Sequence, residues 1–304
     1  MSFIKSLATF AFISLLAQES LALPASSYRH SHHAHADKRS NTCSFPTDKG
    51  FVEINNGNNG WAQSSSCKAG SYCQYACPPG QLMGQWNPSV TTYSYPGSQD
   101  GGIYCNDNGE IEKPISDNDY CYDGKGTLKV KNSASKNSAF CQTVLPGSES
   151  MLIPTNIDSS STETLAVPGT EYWASTAAHY YINPPGVSTD EGCQWGSTAN
   201  PYGNWSPYVA GANMDDSENT YVKIAWNPIY FEDSSPFKDE KPSFGIKMYC
   251  NDDSKCNGDA CEINPSTYGL NKVSSGGQAL SDGAAWCVLT ATDSSSVTIE
   301  VFDV

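Results

Sequence analysis

Tyr221-Val-Lys-Ile-Ala-Trp226 alternates its side chains over six residues and stops at Asn227-Pro228, the pattern of a β-strand with one face buried. The same reading holds for Phe51-Val-Glu-Ile54, Thr127-Leu-Lys-Val130, Phe244-Gly-Ile-Lys-Met-Tyr249, Ala285-Trp-Cys-Val-Leu289 and Val297-Thr-Ile-Glu-Val301, each bounded by Gly, Pro, Asn or Asp. Nothing sustains a 3.6-residue period over three turns, and the one helix expected is a short one within residues 171–181. Many short strands separated by turn signals predict a mainly β chain. The expected fold is a disulfide-stapled antiparallel β-sandwich with long irregular loops and little helix, a thaumatin-like arrangement being one form of it.

The staples are twelve cysteines: Cys43, Cys67, Cys73, Cys77, Cys105, Cys121, Cys141, Cys193, Cys250, Cys256, Cys261 and Cys287. No C-x-x-C redox spacing occurs among them, and in an oxidising compartment they read as bridges, with the pairing left open. Between residues 145 and 170, three prolines flank the polar run Asp158-Ser-Ser-Ser-Thr-Glu-Thr164, the composition of a linker or surface loop. Seven cysteines precede it and five follow it, so full pairing requires a bridge across it. Residues 40–304 therefore read as one covalently closed domain.

The N-terminus predicts secretion. Lys5, an apolar run over residues 7–17, and Ser20 and Ala22 at the −3 and −1 positions form a signal peptide over residues 1–22. Residues 23–39 read as a pro-segment carrying His30, His32, His33 and His35 and ending in the dibasic pair Lys38-Arg39. Removing residues 1–39 takes away Lys5, Arg29, Lys38 and Arg39 but only Glu19 and Asp37, which deepens the net charge from −15 to −17. A surface that acidic repels phosphates, so nucleic acid is not an expected partner. No later stretch offers the ~20 apolar residues of a membrane span, and the chain is expected to act as a monomer.

Cofactor chemistry is not indicated: there is no phosphate-cradling glycine loop, and His179 alone remains beyond the pro-segment, so neither a metal site nor a serine triad is expected. What remains is carboxylate and aromatic. Trp195, Trp205 and Tyr208 lie in a Gly/Pro-rich context and are candidates to stack on sugar rings, whereas Trp226, on its alternating strand, reads as core. Asp215, Asp216 and Glu191 are the candidate catalytic carboxylates, with Asp190 next in line, because glycoside hydrolysis needs one protonated acid and one ionised base or nucleophile. Asn204-Trp-Ser206 is an N-glycosylation sequon and predicts an exposed loop.

Several motifs occur in the order found in one family. Cys67-x5-Cys73-x3-Cys77, Pro78-Pro-Gly-Gln81, Gln85-Trp86, Gly192-Cys-Gln-Trp-Gly196, Asn204-Trp-Ser-Pro-Tyr-Val-Ala-Gly-Ala-Asn213 and Val222-Lys-Ile-Ala-Trp-Asn-Pro228 resemble the fungal SUN family of secreted cell-wall proteins. Two departures are visible: Cys105 follows Cys77 at a longer interval than usual, and the Ser/Thr-rich region that precedes the domain in many members is nearly absent. The resemblance implies a glycosidase of β-glucanase or β-glucosidase type, acting on cell-wall β-glucan in wall remodelling, septation and cell separation. A non-catalytic glucan-binding or structural wall protein needs the same aromatic residues, and a thaumatin-like defence protein is a third reading.

Overall fold

A computed structural model describes residues 42–304, apart from 55, 56, 58, 63–65, 95–99, 148, 149, 197, 275–277 and 280–282. The signal peptide and pro-segment expected over residues 1–39 lie outside the described residues.

The N-terminal third is held by strands of two or three residues. β1 (Thr42–Cys43) pairs with β2 (Cys67–Lys68); β3 (Ser71–Cys73), β5 (Ile103–Cys105) and β6 (Ile111–Glu112) form one small sheet, and β4 (Gln81–Met83) pairs with β7 (Cys121–Asp123). Such short ladders are marginal alone. Three bridges, Cys43–Cys105, Cys67–Cys73 and Cys77–Cys121, close them into a unit. The sulfurs of Cys43, Cys67 and Cys105 lie within 4.8 Å of one another because two of these bridges stack.

The rest of the chain is a two-layer sandwich. The larger sheet runs β10 (Ile153–Ile157), β9 (Ser138–Thr143), β12 (Ala178–Ile182), β13 (Tyr208–Met214), β14 (Thr220–Trp226), β19 (Ala285–Ala291) and β16 (Cys256–Asn257), with β18 (Gln278–Ala279) also on β19. The smaller runs β11 (Thr162–Leu165), β8 (Leu128–Asn132), β20 (Val297–Asp303), β15 (Phe244–Cys250) and β17 (Cys261–Ile263). All pairs are antiparallel except β20 with β8.

The two-residue side-chain period explains the layers. Val222, Ile224 and Trp226 of β14 turn inward with Tyr208, Ala210 and Ala212 of β13, and meet Val297, Ile299 and Val301 of β20 and Phe244, Ile246 and Met248 of β15. Cys261–Cys287 and Cys250–Cys256 tie one sheet to the other. Trp226 is fully buried, and its Nε1–H donates to the Lys272 carbonyl at 2.8 Å.

Three expectations need correcting. Phe51-Val-Glu-Ile54 is not a strand: it makes only isolated bridges, Val52 to Ala76 and Ile54 to Gly60, because no neighbouring segment runs alongside it for more than one residue. Residues 145–170 are not one long loop: Ile153-Pro-Thr-Asn-Ile157 buries alternate residues as β10, Thr162–Leu165 forms β11, and Asp158-Ser-Ser-Ser161 is only the turn between them. The bridge Cys141–Cys193 spans this stretch. The helix expected within residues 171–181 is a 3-10 turn, Trp173–Ser175, running into β12, where the β-branched and aromatic residues favour a strand. The one α-helix among the described residues is α1 (Thr189–Gly192), and no described helix is long and apolar enough to cross a membrane.

The outer face of the smaller sheet carries a ladder of charge. In one register row stand Lys131, Glu300, Lys247 and Glu262. Glu300 lies 3.4 Å from Lys131 and 3.3 Å from Lys247, and accepts from Ser133 Oγ at 2.6 Å. Burial opposes the charge on Glu300, but the Ser133 hydroxyl and the two lysines outweigh it and hold the carboxyl below its ordinary value. A pKa depressed on folding stabilises the fold above the unfolded value of about 4.3, and that stability is lost as pH falls through the folded value. Glu300→Gln is therefore expected to cost about 2 kcal/mol near neutrality. Urea midpoints of the two proteins should converge in acid; a gap independent of pH would show that the carboxylate charge contributes nothing.

Candidate functional site

The outward face of the larger sheet is not flat. Register places Tyr181, Val209, Ala225 and Trp286 in one row across β12, β13, β14 and β19, and His179, Gly211, Lys223 and Val288 in the next. Thr143 of β9 extends the second row. A third row holds Asn213, Tyr221 and Thr290. Val209, Gly211 and Ala225 on the middle strands are small and lie between larger side chains, Lys223 of β14 being the exception. The result is a trough of about 600 Å³, with Tyr181 and His179 on one side and Lys223 and Trp286 on the other.

Each wall has a local cause. On the β12 side, the Ser188 hydroxyl caps α1 by accepting from Glu191 N–H at 3.2 Å, and Cys193 just beyond the helix is bridged to Cys141 of β9. This brings Trp195 edge-on to Tyr181, 6.2 Å between ring centroids. On the β19 side, Lys223 Nζ sits 4.5 Å from the centroid of Trp286, a cation–π contact that holds both side chains over the sheet. The floor is low at Gly211, where a Cβ would come 3.1 Å from His179 Cδ2. The imidazole edge occupies the space that a side chain would need.

The residues singled out from sequence are distributed over this face and beneath it. Trp195 is 47% exposed at the trough's edge, where it can stack on a ligand. Trp205 is 9% exposed and packs edge-on against Phe237, and Tyr208 is fully buried with its hydroxyl donating to the Phe244 carbonyl at 2.8 Å. Neither offers a ring face to a sugar: the Gly/Pro context that suggested a loop is a 3-10 turn leading straight into β13, whose inward position Tyr208 takes. Asn204 is 5% exposed, and its Oδ1 accepts from Gly196 N–H at 2.8 Å, so the folded sequon has no room for the glycan expected there.

Asp215 and Asp216 stand in the turn joining β13 to β14. The Asp215 carboxylate accepts from Ser217 N–H and Asn219 N–H at 2.9 Å each, from Asn219 Nδ2 at 3.1 Å and from the Tyr221 hydroxyl at 2.9 Å. The Asn219 backbone N–H, then the Asn219 side chain and Tyr221, hold its carboxyl below the ordinary value. Asp216 accepts from the Thr170 hydroxyl, and Glu218 from Ser294 Oγ at 2.7 Å. With Glu171 and Lys125, paired at 2.8 Å, they line a polar hollow of about 320 Å³.

Glu191 is elsewhere. Its helix packs against Asn183, which follows β12 at the end where Ile182 pairs with Tyr208, whereas Asp215 follows Met214 at the far end of β13. Six steps of strand separate those ends, roughly 20 Å. Paired glycosidase carboxylates lie about 5–9.5 Å apart, so Glu191 does not share a bond-cleaving site with Asp215 or Asp216. Asp190 lines a third hollow together with Glu53.

The chain matches a family model described as "Beta-glucosidase (SUN family)" over residues 38–289. It is 59% identical over 280 residues to the Saccharomyces cerevisiae protein "Uncharacterized protein YMR244W", covering 90% of this chain and 79% of that one. The chain belongs to the SUN family. A second SUN relative, "Probable secreted beta-glucosidase adg3" of Schizosaccharomyces pombe, is 49% identical over 86% of this chain but only 23% of its own length. "Probable secreted beta-glucosidase UTH1" of S. cerevisiae is 36% identical over 75% of this chain and 63% of its own. Six disulfides and secreted relatives make this SUN protein a secreted one.

Three of the motifs that carried the SUN resemblance build the trough. Asn204–Asn213 holds β13 and Val222–Pro228 most of β14, the two strands of its floor, and Gly192–Gly196 is the segment that delivers Trp195. His179, Tyr181, Lys223 and Trp286 were not singled out as ligand-facing. The signal was present: each sits out of phase with buried neighbours on its strand, as in the burial alternation of Ala178-His-Tyr-Tyr-Ile182.

Proposed function

We propose that this SUN protein is a cell-wall glycosidase acting on β-glucan, with the polymer laid along the trough and cleaved at its Asp215 end. The observation that carries the reading is the continuity of that face: the rings of Tyr181 and Trp286 line the trough as platforms for sugar rings, Lys223 resting on one face of Trp286, and Tyr221, in the third row, donates to Asp215 of the acidic hollow. Stacking aromatics beside hydrogen-bonding groups suit a ligand that is apolar on its ring faces and polar at its edges. Asp215, held ionised by its donors, has the state that a base or nucleophile needs, and Asp216 and Glu218 in the same hollow are the candidates for the proton donor. The family description and the names of the relatives support the chemistry. Roles in wall remodelling, septation and cell separation belong to the same proposal.

One observation favours a second reading. No carboxylate lines the trough itself among the described residues, which suits a wall protein that grips glucan without cutting it. Sugar release from linear β-1,3-glucan, measured beside pelleting on insoluble glucan, separates the two. Asp215→Asn is expected to release sugar at least about tenfold more slowly while still pelleting, and Glu191→Gln to do both as the parent does. Pelleting without release by the parent protein would establish the second reading.

A further inference from the structure

Resting on the trough as the polymer-binding surface, we propose that it takes a glycan bearing an anionic substituent, a carboxylate or a phosphate ester, seated over Gly211 between His179 and Lys223. The two side chains flank the glycine in one register row, their Cα atoms two strand spacings apart, about 10 Å. The glycine puts no side chain between them, and the imidazole edge takes part of the space that one would fill. The His179 ring leans into that gap, its Nε2 3.7 Å from where a Cβ at 211 would stand.

The charge of the trough opposes that of the molecule. The chain carries 32 Asp and Glu against 17 Lys and Arg, yet the ionisable side chains lining the trough include a lysine and a histidine and no acid among the described residues. Ion pairs with carboxylates engage Lys49, Lys125, Lys131, Lys238 and Lys247. Lys223 is outside those pairs, as are seven other described lysines, and rests on the face of Trp286. Asp215, in the turn beyond the third row, already accepts from four donors, three of them in its own turn and the fourth the Tyr221 hydroxyl. A neutral sugar needs no ammonium group at the centre of its platform. An anionic substituent uses it, through charge-assisted hydrogen bonds about twice as strong as neutral ones. Repulsion by the rest of the surface does not cancel this, because exposed charges beyond about 8 Å are largely screened at physiological salt.

The test compares binding of the secreted protein to neutral linear β-1,3-glucan and to its carboxymethylated derivative at one pH and ionic strength. The carboxymethyl polymer is expected to bind at least tenfold more tightly, and Lys223→Met to bring that ratio near one. Lys238→Met, an equal loss of charge at an exposed ion pair with Asp233, should leave the ratio in place. Equal binding of the two polymers by the parent, or a ratio that survives Lys223→Met, overturns the anion site while leaving the trough as a glucan platform. Binding of neither polymer overturns the trough reading itself. Complete displacement of the carboxymethyl polymer by inorganic phosphate at matched ionic strength would assign the site to a free anion and overturn the glycan substituent.

Discussion

Tyr181→Ala combined with Trp286→Ala is expected to abolish retention on insoluble β-1,3-glucan, with about a hundredfold loss of affinity and no change in melting temperature beyond a few degrees. The magnitude follows from two ring faces. Each stacked aromatic contributes about 0.5–1.5 kcal/mol beyond the area that it buries, and burial at about 25 cal/mol per Å² adds a comparable amount. Two such platforms are worth about 3 kcal/mol, or roughly two decades in the dissociation constant. The fold should tolerate the loss, because the inward neighbours on the same strands, Tyr180, Ile182, Cys287 and Leu289, carry the core contacts. Tyr208 is the control: as a buried residue bonded to the Phe244 carbonyl, Tyr208→Ala should destabilise the sandwich and leave the ring faces of the trough where they are. Pelleting with the double variant decides the matter. Undiminished retention would remove the polymer from this face of the sheet.

The fold was legible where alternation ran on into a full strand, as in five of the six alternating segments, but not at Phe51–Ile54, where only isolated bridges form. Trp226 was assigned to the core from its place on Tyr221–Trp226, and it is fully buried there. β10 and β11 were missed because Pro154 and the serine-rich turn after Ile157 dominate the composition of a stretch whose short strands carry only a few apolar residues each. Site residues were harder for a different reason. Alternation says that His179, Tyr181, Lys223 and Trp286 share the outward phase of their strands, but only cross-strand register says that they face one another across Gly211 and Val209. That register joins residues as far apart in sequence as 181 and 286, and no local pattern encodes it. Trp205 and Tyr208 failed as sugar platforms because glycine and proline nearby do not distinguish an exposed loop from a tight turn at a strand entrance. Trp195, in the same kind of context, is exposed, because Cys193, bridged to Cys141, pins its segment on the outer face instead of feeding it into the sheet.

Cys43→Ala with Cys105→Ala is expected to destabilise the protein by about 4 kcal/mol, whereas Cys67→Ala with Cys73→Ala should cost about 2 kcal/mol. In the chain-entropy account, a bridge acts by shortening the unfolded chain, and its effect grows with the logarithm of the loop that it closes. The two bridges close loops of sequence separation 62 and 6. They lie in the same small core, so differences in burial do not dominate the comparison. That core is unusually dependent on sulfur: of its nine buried residues, Cys43, Cys67, Cys73, Cys77 and Cys105 are five, the others being Trp61, Tyr75, Met83 and Ile103. Phe51 stacked on Tyr75 at 3.8 Å and Phe45 edge-on to Trp61 at 5.3 Å add to it, but no ladder there exceeds three residues. Packing joins this unit to the sandwich, as where Trp173 Nε1–H donates to the Val90 carbonyl at 2.6 Å and Gln74 Nε2 to the Pro146 carbonyl at 3.1 Å, while its three bridges all stay within residues 43–121. Loss of the long bridge should therefore open residues 42–125 ahead of the sheets, read as faster amide exchange there than in β13 and β14. Equal cost for the two pairs, measured from urea midpoints, would show that native packing of the sulfurs and not the closed loop sets the stability of this region.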